Sequence, residues 1–279
     1  MINYQIHENR WTVIINDFDL RNATQDDVNH IARLLATNTL VIVKNQKLSI
    51  EDEVRIAKMF KNPRQFYPEH SDEDAGYANC ILPGSDDMIV RVTGEEDSHG
   101  NQGFQGYDEE LVWHCNDPLR KDRHPLVWLY GVHGTKGSVT SWNNNIFSYN
   151  DLSQEFKDKI KNLKIDVKHA HDDGEELIKD QHYPNLVHTN LANKTGLFFS
   201  FLQIKGFVGM TDEESQEIMK PLIEHTTKEE YLYHHHWEDG DLTIAEQWLG
   251  IHKRWPFAGM STRMLHRIVF DFPDQDYTK

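Results

Sequence analysis

Cysteine is scarce in this sequence, which holds only Cys80 and Cys115. Two cysteines cannot build a disulfide framework, and they fall short of a zinc site made of cysteines. The 279-residue chain must therefore rely on a hydrophobic core, and its 38% hydrophobic and 11% aromatic residues are enough to form one.

Positive charge is also in short supply. The chain carries 29 Lys and Arg against 45 Asp and Glu, a formal net charge of −16. A surface potential this negative repels phosphate backbones, so we expect no nucleic-acid partner. A small-molecule substrate is the natural expectation, and the sequence leaves a homo-oligomer open.

Long apolar runs are missing as well. No stretch approaches the roughly 20 apolar residues that a membrane-spanning helix needs. Residues 1–5 lack the basic and then apolar pattern of a signal peptide. We therefore expect no membrane association and a location in the reducing cytoplasm.

The first 60 residues predict two helices around a buried strand. Thr24 is a candidate N-cap, and apolar residues follow it at helical spacing. Residues 39–43 form a short β-rich run, and Ser49 with Asp52 has the pattern of a capping box at the start of a second helix. These elements are suited to cover one face of a sheet.

The later chain is rich in strand-like segments. Thr211 and Glu214 predict one helix start, and Pro221 should kink or end that helix. Many strands, few helices and no strand–helix alternation favour a mainly β fold with flanking helices (α+β), built as a double-sheet roll. The predicted strands are residues 126–130, 139–142, 196–202, 242–245 and 268–272.

Residues 61–110 have no clear period and contain several prolines, glycines and acidic runs. A segment this long without a pattern is usually disordered or a functional lid. Because it directly precedes His114, we favour a lid that shapes a substrate pocket. No linker divides the chain, so we predict a single domain over residues 1–279.

Residues 111–118 (Leu-Val-Trp-His-Cys-Asn-Asp-Pro) predict a strand that carries possible metal ligands. Side chains alternate along a strand, so His114 and Asn116 would share a face, whereas Cys115 would face away from it and serve packing. The usual non-haem iron site has two histidines and one carboxylate. Here an asparagine stands where that carboxylate is expected.

A second group of polar residues lies near the C-terminus. His252 follows a predicted strand, and Arg263, Leu265 and Arg267 would share one face of another. Two arginines inside a roll are costly unless they meet anions. A guanidinium binds a carboxylate through two parallel hydrogen bonds, so a dicarboxylate is a suitable ligand.

The ordered set His114-x-Asn116, Thr140, His252, Arg263 and Arg267 resembles the TauD/TfdA (taurine/α-ketoglutarate dioxygenase) family of iron(II)- and 2-oxoglutarate-dependent oxygenases. Residues 137–142 resemble the family's Gly-Gly-x-Thr strand, and residues 238–242 resemble its Pro-Gly-Asp-Leu turn. The resemblance implies a double-stranded β-helix (a cupin-like jelly roll) and a dioxygenase that uses Fe(II), 2-oxoglutarate and O2.

The resemblance also implies roles for individual residues. His114, Asn116 and His252 would stand at the metal, and Arg263 with Thr140 would bind the distal carboxylate of 2-oxoglutarate. Arg267 would be the catalytic-site arginine beside the cosubstrate or an acidic substrate. Residues 246–248 (Glu-Gln-Trp) stand where the family usually has Asp-Asn-Arg.

Asn116 leaves four alternatives at the third metal position. Its amide oxygen binds the metal directly or through water, or an external anion fills the position, as in halide-transferring relatives. Alternatively, the metal binds poorly and the protein is a non-catalytic 2-oxoglutarate-binding protein, or Asp117 turns inward through a bulge.

Three further features have simpler interpretations. The run His234–His236 is expected to be a strand edge, because adjacent strand residues do not share a face. Glu110 is expected in a solvated loop, with a minority alternative in which it faces the pocket and selects an amino-bearing substrate. These charges favour an amino acid or a small acid as the substrate whose C–H bond is hydroxylated.

Overall fold

The computed structural model describes residues 2–67, 77, 79–96, 100, 103–104, 109–116, 124–167, 184–200, 204–257 and 262–278. Within these ranges strands predominate. The helices are α1 (Gln25–Asn38), α2 (Ile50–Met59), α3 (Asn145–Asn150), α4 (Gln154–Ile160) and α5 (Asp212–Thr226). The strands are β1 (Gln5–Ile6), β2 (Thr12–Ile15), β3 (Leu40–Val43), β4 (Val90–Thr93), β5 (Leu111–His114), β6 (Leu126–His133), β7 (Val139–Asn143), β8 (Ile165–Val167), β9 (Val187–Thr189), β10 (Thr195–Leu197), β11 (Ile204–Phe207), β12 (Leu232–His236), β13 (Leu242–Glu246), β14 (His252–Arg254) and β15 (Met264–Phe270).

Two sheets form the body of the protein. The larger has the strand order β1-β2-β3-β13-β6-β15-β4, and the smaller has the order β12-β7-β14-β5. Trp142 of the smaller sheet shares a buried apolar cluster with Val127 and Val269 of the larger one, so the two sheets pack face to face. The prediction of a mainly β fold with a few helices is confirmed.

Helices α1 and α2 pack against the outer face of the larger sheet. Thr24 and Ser49 cap them, and each takes part in the full capping box with the aspartate three residues later. Both predicted helix starts are therefore confirmed, and each cap contributes about 1 kcal/mol. Ile31 of α1 and Ile56 of α2 belong to the same buried cluster as the strand residues beneath them.

Helix α5 does not end at Pro221. It continues to Thr226, because Ile218, Met219 and Leu222 are buried in a second apolar cluster that holds the helix in place. A proline inside a helix costs about 3 kcal/mol. Tertiary packing offsets this cost here, so of the two predicted effects, a kink or an end, the end does not occur at Pro221.

Other strands also differ from the prediction. The strand predicted over residues 196–202 is β10, which ends at Leu197, and the last predicted residues, 201 and 202, lie outside the described residues. Strand β5 ends at His114, so Asn116 lies beyond it. Within residues 61–110, where no period was found, residues 90–93 form β4 at the edge of the larger sheet and pair with β15. Backbone pairing to a neighbour gives β4 its structure, and such pairing leaves no local signal.

The described residues contain no helix with the length and apolarity needed to cross a bilayer. Cys80 and Cys115 form no disulfide with each other, and both are buried. Cys115 lies in the second apolar cluster, which agrees with the packing role expected for it.

Candidate active site

Two histidines meet between the sheets. Strands β5 and β14 are antiparallel neighbours, and His114 is the register partner of His252. The ring centroids of the two imidazoles lie 4.2 Å apart, and Trp142 of β7 covers His252 at a centroid distance of 4.7 Å. Residues 138 positions apart in the chain are thereby brought to one place, as a shared metal would require.

The surroundings keep both imidazoles neutral. Burial lowers the pKa of His114 to about 4, and burial together with His114 lowers the pKa of His252 well below its ordinary value. The carbonyl oxygen of Val112 lies 2.8 Å from Nδ1 of His114, and because a carbonyl can only accept, the proton of the neutral imidazole is assigned to that nitrogen. Nδ1 of His252 is buried without a hydrogen-bond partner in the described part of the chain.

Asn116 is held on both sides of its amide group. Its backbone N–H and its side-chain amide both donate to Oε1 of Gln247, at 2.8 and 3.0 Å. Arg267 donates to its Oδ1 at 3.2 Å. Gln247 is fixed in turn, because its own amide donates to the carbonyl of His124 at 2.8 Å. The amide oxygen of Asn116 therefore faces Arg267.

No carboxylate joins the two histidines in the described structure. Among those residues there is no group of three or more His, Cys, Asp or Glu side chains that could hold a metal ion. Asp117, the alternative third ligand, lies outside the described residues. The described donors are thus two neutral imidazoles and one amide oxygen.

Arg263 is a buried cation with a fixed orientation. Its Nε donates to the hydroxyl of Ser138 at 3.0 Å, and its guanidinium lies over the ring of Phe257 at 4.9 Å. Burial, followed by repulsion from Arg254, lowers its pKa to about 9, so it stays charged at neutral pH. A guanidinium with only 2% exposure is stabilised if an anion meets it.

Thr140 is buried on β7 and its hydroxyl oxygen is already engaged. Trp237 donates its indole N–H to that oxygen at 2.9 Å. The hydroxyl proton of Thr140 then remains for donation to an acceptor. Thr140 is the register partner of Arg254 on β14, the strand that also carries His252.

Arg267 lies between two aromatic rings with part of its guanidinium unused. Its carbon centre is 5.3 Å from the ring centroid of Tyr77 and 4.8 Å from that of Phe104. Nε and one terminal nitrogen are buried without a hydrogen-bond partner among the described residues. An anion that enters between the sheets would satisfy these donors.

The sequence did not predict the residues that orient this group. Gln247 had one signal, its place in a run that departs from the family pattern. Ser138 lies in the 137–142 motif, but nothing there indicated its contact with Arg263, and Trp237 had no signal, because each orients a residue distant in sequence. Chain order gave no means to find them.

Other sequence candidates lie elsewhere. His234 contacts Ser141 and Glu229, and His235 pairs with Asp241 at 3.2 Å, so the run His234–His236 does not converge. Glu110 pairs with Lys253 at 2.7 Å. This ion pair satisfies the Glu110 carboxylate and gives the minority alternative of an amine-selecting role no support.

The chain is similar to known proteins along most of its length. A model of the family "Taurine catabolism dioxygenase TauD, TfdA family" matches residues 6–269. The chain is 27% identical over 224 residues to pentalenolactone F synthase of Streptomyces arenae, which covers 71% of this chain and 74% of that protein. It is 20% identical over 267 residues to the α-ketoglutarate-dependent 2,4-dichlorophenoxyacetate dioxygenase of Cupriavidus pinatubonensis, covering 91% and 92%.

Solved structures share the fold. A taurine dioxygenase from Burkholderia xenovorans superposes with a TM-score of 0.76 at 19% identity, covering 98% of this chain and 90% of that one. A complex of AAD-2 with Mn(II) and N-oxalylglycine gives a TM-score of 0.77 at 15% identity, covering 99% of both chains. At these identities the likeness concerns the fold.

Proposed function

Because the chain belongs to the taurine catabolism dioxygenase TauD, TfdA family, we propose that it is an iron(II)- and 2-oxoglutarate-dependent dioxygenase. It hydroxylates a C–H bond of a small charged metabolite, an amino acid or an acid. Its two-sheet body is a double-stranded β-helix, or jelly roll. The observation that carries the proposal is the pairing of two neutral buried imidazoles, His114 and His252, beside the buried cation Arg267.

The donor set fits a divalent metal with a weak third ligand. His114 and His252 would hold the iron, since metal-binding histidines must be neutral. The amide oxygen of Asn116 is the third donor, and its lack of charge makes it weaker than a carboxylate. When bound, the iron supplies the redox chemistry, in which O2 and 2-oxoglutarate give succinate and carbon dioxide while the substrate C–H bond is hydroxylated.

The protein residues would bind the cosubstrate and exclude water from it. Arg263, oriented by Ser138, would bind the distal carboxylate of 2-oxoglutarate, and Thr140 would donate its hydroxyl proton to it. The Arg263 guanidinium is almost fully buried, so its attraction for a carboxylate is not weakened by water.

Arg267 would bind a second anionic group beside the metal. Its donation to Asn116 leaves two nitrogens for a carboxylate of the cosubstrate or of the substrate. This arrangement favours an acidic group on the substrate and explains why a cation is tolerated between the sheets.

The segment 61–110 is proposed as a variable lid within one domain of residues 1–279. Tyr77 and Phe104 belong to it, and both rings contact Arg267. Apart from β4 it lacks regular structure where described, as expected for a segment that adapts to the substrate. We place the protein in the cytoplasm, where its two buried cysteines stay reduced.

A second candidate is a non-catalytic protein that binds 2-oxoglutarate. It is favoured by one observation: Oδ1 of Asn116 already accepts from Arg267, and its amide is tied to Gln247. If that oxygen is unavailable to a metal, two imidazoles alone hold iron poorly.

Two measurements separate the candidates. Mn(II) binding, measured by calorimetry without oxygen, and succinate release with Fe(II), 2-oxoglutarate and O2 are compared for the wild type, His252→Ala and the exposed-site control His236→Ala. The dioxygenase proposal expects both signals in the wild type and the control, and neither in His252→Ala. Cosubstrate binding without metal binding or succinate would establish the second candidate.

A further inference from the structure

A cavity lies outside the space between the sheets, away from the candidate active site. Its volume is about 660 Å³, within the range of small-molecule sites. Strand β13 separates this cavity from the proposed metal site. Glu246 is on the same side of the strand as Leu242 and Ile244, the side that faces the helices. The next residue, Gln247, points the other way and hydrogen-bonds with Asn116. The cavity is lined by Lys61, Asn62, His124, Pro125, His188, Thr189, Asn190, Leu191, Glu246, Trp248, Asp271, Phe272 and Asp274.

Glu246 is the unusual feature of this cavity. The residue is 1% exposed. One carboxyl oxygen accepts from the side-chain amide of Asn190 at 2.8 Å, and the other, Oε1, has no hydrogen-bond partner among the described residues. Asn190 is itself anchored, because the same amide nitrogen donates to the carbonyl of Ala36.

Other polar groups of the cavity have partners. Lys61 pairs with Asp274 at 2.6 Å, and Nδ1 of His124 lies 2.9 Å from a carboxylate oxygen of Asp271. Glu246 has no basic partner in the described part, and its one side-chain hydrogen bond there comes from the neutral amide of Asn190. Glu246 is therefore a buried acid on the cavity wall without a counter-ion among the described residues.

Apolar surface lies near that acid. Trp248 and Phe272 line the same cavity, and Leu191 at its edge is 53% exposed. An aromatic face attracts a cation, and apolar walls bind an alkyl chain. A ligand with an ammonium group and a short apolar body matches both parts of the lining.

We infer that this cavity is a binding site for a small organic cation, a primary ammonium compound whose charged head pairs with Glu246 while its alkyl chain packs on Trp248 and Phe272. The inference is independent of the oxygenase proposal. None of the proposed metal or 2-oxoglutarate residues lines the cavity.

Binding is expected to release a proton. Burial raises the pKa of Glu246 to about 8, so at pH 7 the empty site holds the neutral acid. An ammonium ion stabilises the carboxylate, and the acid proton leaves for the buffer. Other titratable groups also line the cavity, namely Lys61, His124, His188, Asp271 and Asp274. The Glu246→Gln variant leaves these groups in place, so the difference from the wild type gives the proton release that is due to Glu246.

The test is calorimetric titration of the full chain with n-butylammonium at pH 7, in two buffers with different ionisation enthalpies. Butanol and butyrate are the matched neutral and anionic probes. We expect n-butylammonium alone to bind, with proton release, and Glu246→Gln to weaken binding by about tenfold or more. The control Glu229→Gln changes an exposed acid, 82% exposed at its side chain, and should leave binding unchanged.

Thr189→Trp provides an independent test, because it fills the cavity and retains the acid. It too should weaken n-butylammonium binding. The inference is overturned if n-butylammonium does not bind at millimolar concentration, if butanol binds equally well, or if Glu246→Gln and Thr189→Trp both bind like the wild type.

Discussion

Oε1 of Gln247 accepts two hydrogen bonds from Asn116, one from the backbone N–H at 2.8 Å and one from the side-chain amide at 3.0 Å. This pair turns the amide nitrogen of Asn116 toward Gln247 and its oxygen toward Arg267. Arg267 donates to the amide oxygen, so the atom proposed as the third metal ligand also accepts from the arginine proposed to bind an anion. Metal binding and anion binding are therefore expected to influence each other.

Asn116→Asp should strengthen metal binding. A carboxylate adds a charged oxygen next to two neutral imidazoles, and it gains an ion pair with Arg267. We expect Mn(II) affinity to rise by about tenfold or more, a change of roughly 1.4 kcal/mol. Calorimetric titration measures this, and Asn162→Asp on the surface is the matched control. Equal affinity in Asn116→Asp and the wild type would mean that position 116 does not contact the metal.

Gln247 should act as a positioning residue for Asn116. Gln247→Leu removes the acceptor and leaves a backbone N–H without a partner, at a cost of about 1–3 kcal/mol. Gln247→Glu keeps an acceptor at that place and loses only the donation to His124. We expect the Leu variant to melt at a lower temperature and bind Mn(II) more weakly, and the Glu variant to recover the Mn(II) affinity in part. If both variants bind Mn(II) like the wild type, Gln247 does not orient the site.

Arg263→Lys should weaken 2-oxoglutarate binding and leave Mn(II) binding intact. Lysine retains the charge but cannot form two parallel hydrogen bonds to a carboxylate. A tenfold or greater rise in the 2-oxoglutarate dissociation constant is expected, about 1.4 kcal/mol. Ser138→Ala removes only the hydrogen bond that orients Arg263, so its effect should be smaller. Unchanged 2-oxoglutarate affinity in Arg263→Lys would rule out the assigned carboxylate partner.

Glu246→Gln should stabilise the protein in a pH-dependent way. The folded-state pKa of Glu246 is about 8, against an ordinary value of 4.5, so the unfolded chain ionises first as pH rises. The wild type therefore loses stability between about pH 4.5 and 8 and levels off above, by about 3–5 kcal/mol. Thermal unfolding from pH 5 to 8 should show the variant's advantage growing with pH. An advantage that is constant with pH would contradict the raised pKa.

Local signals in the chain were sufficient for several elements. Thr24 and Ser49 mark helix starts because a capping side chain bonds to a backbone N–H only three residues away. Alternation also predicted that Arg267 faces the same side as Leu265, and the structure places Leu265 in the cluster between the sheets, whereas Arg263 lies one residue before β15. Such features depend on neighbours along the chain.

Failures occurred where distant parts of the chain outweighed local preference. Pro221 stays inside α5 because its neighbours are buried in a cluster built from other elements. The edge strand β4 depends on backbone pairing with β15, so a run without period became a strand. In both cases the stabilising free energy of contacts between distant parts of the chain exceeded the free-energy cost set by the local sequence.

The sequence by itself determined that the protein is mostly strands with capped helices, and which residues are able to bind a metal or an anion. Only the tertiary structure decided that His114 and His252 are register partners, that Gln247 orients Asn116 from 131 residues away, and that Glu246 lines a separate cavity. The reason is physical: caps and alternation act over a few residues, whereas register, amide orientation and desolvation arise only when strands distant in sequence pack together.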